Sequence, residues 1–198
     1  MSYIAGVDYG AKMAGTTVVA CLNLENSEVQ LSQSEKKKSA DEWLLRLFSE
    51  QPAELIALDA PLSLPGYYQH KKEFTDYFYR ESDRKLNAMS PMFLGGLTAR
   101  AIKLRDTLTE KEIRVVETYP AALADMLQLK QLSYKKEKKH IAQVVEAVRE
   151  AFTEAKVVPS TIKNWHQVDA LLALYTAWRV HQDQAQFVGD KQEGGIYL

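Results

Sequence analysis

One short apolar run, Ile4-Ala5-Gly6-Val7-Asp8-Tyr9-Gly10, ends in a carboxylate and a glycine. The same grammar returns twice, in Ile56-Ala57-Leu58-Asp59-Ala60-Pro61 and Val115-Val116-Glu117-Thr118-Tyr119-Pro120. Apolar runs of this length, bounded by turn-forming residues, read as buried strands. An acid that closes a buried strand is costly unless something uses it. For one acid, a helix N-cap, a salt bridge or exposure at the strand end is explanation enough. Three on neighbouring strands repel one another unless a cation lies among them. The pattern therefore predicts one sheet with an acidic cluster at one edge.

The rest of the chain supplies that sheet with its layers. Residues 3–8 read as a strand, and Gly10 and Gly15 bracket a turn into a second, Thr16 to Leu22. The alternation of Glu28 to Ser32 predicts an exposed third strand, so the opening is an antiparallel meander with the Asp8 strand inside. Ser39 and Glu42 have capping-box spacing, and Trp43, Leu44, Leu47 and Phe48 then share a helical face up to Pro52. Leu55 to Asp59 follows that helix and is expected as a parallel strand. Residues 67–108 read as a mostly helical insertion with Phe74, Tyr77 and Phe78 on one face, a candidate lid over the strand ends. A strand over 113–117, a helix from Pro120, an amphipathic helix from Lys135 to Phe152 and an apolar helix over 162–181 complete the pattern. No repeat or low-complexity linker divides residues 1–198, so a single domain is expected.

Composition excludes several classes. No apolar run reaches the roughly 18 residues of a membrane span, and the N-terminal residues do not resemble a secretory leader. The single Cys21 allows neither a disulfide framework nor a cysteine-based zinc site, and suits a reducing, cytoplasmic setting. A net charge of −1 does not mark a general nucleic-acid binder, so any such contact rests on local patches: Lys36-Lys37-Lys38, Lys71-Lys72 or Lys135 to Lys139. Each of these also reads as a solvated loop or helix start.

A fourth acid sharpens the picture. His166-Gln167-Val168-Asp169-Ala170 places Asp169 inside the apolar terminal helix, with His166 one turn earlier on the same side. Asp169 is a poor core residue but a sensible ligand opposite Asp8 and Asp59. Carboxylate oxygens suit Mg²⁺ or Mn²⁺. Two such ions about 4 Å apart clamp a phosphodiester in line with an attacking water. His166 would then orient that water, or serve only as a polar helix-start residue. Arg80 and Arg84, spaced around Asp83, would grip a phosphate or form a surface ion-paired helix.

These residues, in this order, resemble the ribonuclease-H-like fold. Val7-Asp8-Tyr9-Gly10-Ala11-Lys12 is similar to the opening of its Holliday-junction-resolvase-like branch. Closer still is the resemblance to a predicted ribonuclease-H-like nuclease family long filed as a domain of unknown function. It rests on Asp59-Ala60-Pro61-Leu62, Arg80-Glu81-Ser82-Asp83-Arg84, Glu117-Thr118-Tyr119-Pro120, His166 to Ala170, and Gly189-Asp190 to Gly194. Where that family commonly has an aromatic residue after its last glycine, this chain has Gly195. The resemblance implies an α/β fold with a mixed five-stranded sheet in the order 3-2-1-4-5, flanked by helices, with a helical insertion after the fourth strand. It implies Asp8, Asp59, Glu117 and Asp169 as metal ligands; apart from the resemblance, His166 is a further catalytic candidate, and Lys12, Arg80 and Arg84 are candidates for holding substrate.

The expected activity is metal-dependent hydrolysis of DNA or RNA. Two alternatives stay open. One is an inactive nucleic-acid or protein-binding module with the same fold. The other is an actin-like or sugar-kinase-type phosphotransferase, disfavoured because those proteins duplicate the fold and only one Asp-x-Gly turn, Asp8 to Gly10, occurs. A homodimer would suit a junction resolvase, but no residue argues for one.

Overall fold

The computed structural model describes residues 2–69 and 73–198, so the Lys71-Lys72 pair lies outside the described residues. β1 (Tyr3–Asp8), β2 (Val18–Asn23) and β3 (Val29–Gln33) form the expected antiparallel meander. Thr16 and Thr17 fall in the turn rather than in β2: the buried Thr17 hydroxyl accepts the Gly10 N–H at 3.1 Å and closes the loop behind Asp8. α1 (Ala40–Glu50) starts at Ser39, whose hydroxyl accepts the Glu42 N–H, and buries Leu44 and Phe48. β4 (Leu55–Asp59) returns parallel to β1.

Among the described residues, the insertion opens on a 3-10 turn at Gly66–Gln69 and its α-helices are α2 (Glu81–Leu86), α3 (Pro91–Leu94) and α4 (Gly96–Thr109). Residues 73–80 form no helix. There the Asp76 carboxylate accepts the N–H groups of Phe78 and Tyr79, a local bond pattern that competes with helix. Phe74, Tyr77 and Phe78 consequently share no helical face, and Tyr77 and Phe78 are exposed.

β5 (Arg114–Glu117) adds parallel to β4, completing a five-stranded sheet in the order β3-β2-β1-β4-β5. Beyond it come α5 (Pro120–Met126), α6 (Ile141–Ala151) and α7 (Trp165–His181). α6 buries Ile141, Val144, Val145 and Val148, with Phe152 just beyond it; it starts where that apolar stripe starts, six residues after the expected boundary at Lys135. Lys135 has a left-handed backbone (φ 59°), which a helix cannot contain. A final antiparallel hairpin, β6 (Phe187–Asp190) and β7 (Gly194–Tyr197), was not foreseen. Gly195 lies in it where a Cβ would stand 2.5 Å from both the Phe187 ring and the Val188 carbonyl, so the aromatic residue common at this place in the resembled family has no room.

Side-chain alternation divides the core between the two faces of the sheet. Ile4, Leu55, Ala57 and Val116 pack with α6 and α7, whereas Ala5, Val7, Ile56 and Leu58 pack with α1 and α4. α7 crosses β1 at very short range. A Cβ on Gly6 would lie 1.9 Å from the Leu174 backbone nitrogen, so glycine is required for the contact. No helix among the described residues is long and apolar enough to cross a membrane.

Candidate metal centre

The close approach at Gly6 sets the site. Gly6 and Asp8 are two residues apart on β1 and point to the α7 side. Asp169 lies one helical turn before Ala173, whose backbone also meets Gly6. Asp59 stands directly opposite Asp8 in the parallel register and follows Leu55 and Ala57 on the same face. Asp8, Asp59 and Asp169 each offer a carboxylate oxygen, and these atoms lie within 4.8 Å of one another. Three all-oxygen, anionic donors at that spacing suit a hard divalent cation.

Their electrostatics agree. Burial holds the Asp59 carboxyl well above the usual carboxylate range, and the charges of Asp8 and Asp169 raise it further. Burial also raises Asp169, against the pull of Lys135 and Tyr134. The His166 Nδ1 lies 2.8 Å from Asp8 Oδ2, and that hydrogen bond raises the imidazole above its ordinary value. Lys135 is the site residue that sequence reading missed. Its Nζ lies 2.7 Å from Asp169 Oδ2, while the Tyr134 hydroxyl donates to Oδ1 of the same carboxylate. Its apparent place, the first lysine of a solvated run, concealed this. Its left-handed backbone, which the sequence does not announce, accompanies the inward-turned ammonium.

Glu117 does not join the three aspartates. In the β4–β5 register it pairs with Leu58, and the residue level with Asp59 is Thr118. One residue along a strand reverses the face. The Thr118 hydroxyl accordingly meets Thr176 of α7, while Glu117 points the other way. There both Glu117 oxygens are taken by Arg80 (Nη1 to Oε2, 2.7 Å; Nη2 to Oε1, 2.6 Å), and the Leu62 N–H also donates to Oε2. Glu117 is thus the partner of a buried ion network.

Arg80 is correspondingly 0% exposed, which removes it from any substrate surface. Its remaining donors go to both Asp83 oxygens and to Ser63. The Arg80 N–H also donates to Asp83, so the expected surface ion-paired helix is instead a buried cap. Arg84 is exposed, pairs with Asp76 and lies 4.8 Å over the Tyr79 ring. Lys12 is exposed in the turn after β1, and its charge acts on Asp41. Neither is brought to the trio by a contact among the described residues.

Two further groups hold the surroundings in place. Arg100 of α4 forks onto Asp41 (2.9 and 2.6 Å) and stacks over Tyr9, whose hydroxyl also donates to Asp41; the insertion is thereby tied to the turn behind Asp8. The buried Glu193 carboxylate, between β6 and β7, accepts the Gly66 and Glu81 N–H groups and ties the tail to the same insertion. Cys21 is half-buried, and burial pushes its thiol up to about 11, so it supplies no nucleophile.

No curated protein matches the chain. Residues 95–193 match the family described as "Protein of unknown function (DUF429)". The match takes in Glu117, Lys135, His166, Asp169 and Glu193, whereas Asp8 and Asp59 precede it. Because it spans half of the 198 residues, the chain belongs to that family, DUF429.

Proposed function

We propose that the protein is a metal-dependent nuclease that hydrolyses phosphodiester bonds of DNA or RNA. The observation that carries this reading is the convergence of Asp8, Asp59 and Asp169, from two parallel strand ends and one helix, with ligand atoms within 4.8 Å. The resemblance to the ribonuclease-H-like nucleases supports it, although a fold by itself assigns no chemistry. Asp8, whose carboxylate lies within 4.8 Å of the other two and bonds His166, would be the shared ligand. Asp59 and Asp169 would each hold one. The ions, Mg²⁺ or Mn²⁺, would supply Lewis acidity at the phosphoryl oxygens and lower the pKa of a bound water.

The chain's own groups complete the arrangement. His166 is half-exposed and bonded to Asp8, and in this reading it would orient the attacking water or assist the leaving oxygen. Lys135 balances the charge of Asp169 and is within electrostatic reach of Asp8 and Asp59. It is half-exposed, hence free to turn toward a phosphate.

The test is cleavage of labelled single strands, duplexes, hybrids and junctions, of both DNA and RNA, with Mg²⁺ or Mn²⁺ and with EDTA. Metal-dependent cutting by the wild type and none by Asp8→Asn, at unchanged secondary structure, is the expected result. Cleavage that survives Asp8→Asn, or no cleavage anywhere on the panel, refutes the assignment.

A further inference from the structure

Beside the aspartate trio lies a cavity of about 280 Å³ that Asp59 itself lines. Its other walls are largely apolar: Ala88, Met89, Leu94 and Leu97 from the insertion, and Tyr119 from the start of α5. Arg80, Asp83 and Glu117 also border it but close on one another as a buried ion network, so the guanidinium has no donor left for an anion. The cavity is therefore shaped for an uncharged, largely apolar group attached to something held at Asp59. Its volume lies just below the range for drug-sized ligand pockets, about 300–1,000 Å³, and suits one ring system rather than a stacked pair.

We infer that this cavity receives a single unpaired nucleobase next to the phosphate held at the trio, so that the substrate is a single strand or an unpaired end or loop. The inference rests on the nuclease reading above. A base inside a duplex is stacked and paired, and reaching such a cavity requires its extrusion. A base in a single strand can enter without that cost.

A separate observation favours the same substrate. Phe93 and Phe78 are 63% and 51% exposed, with ring centroids 5.6 Å apart, and Tyr79 meets Phe93 edge-on. Phe93 precedes Leu94 on the same short helix, α3, so this aromatic shelf adjoins the cavity wall. Arg84 over Tyr79 adds a cation at its side. Exposed rings with a neighbouring arginine form the kind of surface on which successive unpaired bases stack, whatever their identity.

The experiment uses the full chain with Ca²⁺ in place of Mg²⁺, and short fluorescent single strands of DNA and of RNA. Each is compared with its duplex and with a series carrying one abasic residue moved along the strand. Anisotropy reports affinity, and Mn²⁺-supported cleavage of the same strands maps the cut bond. Loss of the base beside the cut bond is expected to weaken binding by about 5- to 150-fold, the range for one stacked base. Base loss several residues away has little effect, and the duplex binds more weakly than the single strand. Leu94→Asp reproduces the weakening with the intact strand while the Mn²⁺-induced rise in melting temperature is retained. Equal affinity for the intact strand and every abasic strand, or for duplex and single strand, overturns the inference and leaves the nuclease reading standing. A retained Mn²⁺ shift with no strand bound or cut overturns both. Because the abasic series changes the ligand alone, the outcome does not depend on how well Leu94→Asp folds.

Discussion

Arg80→Met is the perturbation whose consequence the structure defines most fully. The substitution keeps an unbranched side chain of comparable length but removes the guanidinium. Asp83 and Glu117, 1% and 5% exposed, are then left facing each other without a cation. Breaking a buried ion pair from one side costs about 3–5 kcal/mol, because the remaining charge stays desolvated. For a chain of this size each kcal/mol lowers the melting temperature by about 2–4 °C, so the fall should be about 6–20 °C. Urea and thermal unfolding of both proteins measure it. Glu117→Gln is the companion: its Oε1 still accepts from Arg80, so a smaller loss is expected. In the double variant the two costs should fall well short of additive, since the groups share one network. A loss below about 1 kcal/mol for Arg80→Met, or full additivity, would show that the network is not closed as described. The same proteins separate Glu117 from the trio. Glu117→Gln should keep the Mn²⁺-induced thermal shift that Asp8→Asn loses, and the opposite result would return Glu117 to the metal site.

Three further outcomes are expected. Lys135→Met removes a cation that competes with metal at Asp169; Mn²⁺ should bind about fivefold more tightly by calorimetry, the size of a solvent-screened ion pair. The Asp59 carboxyl is raised in the fold, so the fold favours its protonated form; metal-free stability should fall as pH rises from the unfolded value of about 3.9 through the raised value, and Mn²⁺ should reverse that fall. Melting temperatures across pH with and without Mn²⁺ test the sign. Gly6→Ala drives a methyl into the α7 backbone and should cost about 3 kcal/mol or more by urea unfolding, with loss of the Mn²⁺ shift as Asp169 is pushed away from Asp8.

Local chemistry fails in the insertion for a definable reason. Phe74, Tyr77 and Phe78 have helical spacing, yet one side chain, Asp76, accepts the Phe78 and Tyr79 N–H groups, a local bond pattern that competes with a helix through it. The hairpin at the C-terminus is missed because its strands are short and glycine-rich. Their pairing depends on Gly195 lying under Phe187, and no periodicity records that.

What the sequence by itself determined is the five strands of the main sheet, the helices that cover them and the acids at their ends. Apolar runs closed by Asp8, Asp59 and Glu117, and a helix that buries an aspartate, follow from hydrophobic burial and the cost of an unused buried charge, which are local properties. Tertiary structure decided which of those acids meet. A strand presents alternate residues to opposite faces, so membership of the site depends on the register of pairing and not on position along the run. Asp8 stands level with Asp59, and Glu117 is one residue out of step, so it turns away to neutralise Arg80. Asp169 reaches the strand ends because Gly6 lets α7 touch β1, and Lys135 reaches Asp169 from a left-handed backbone. Register, close packing and a reversed backbone turn are relations between distant residues or strained conformations, and only the folded chain expresses them.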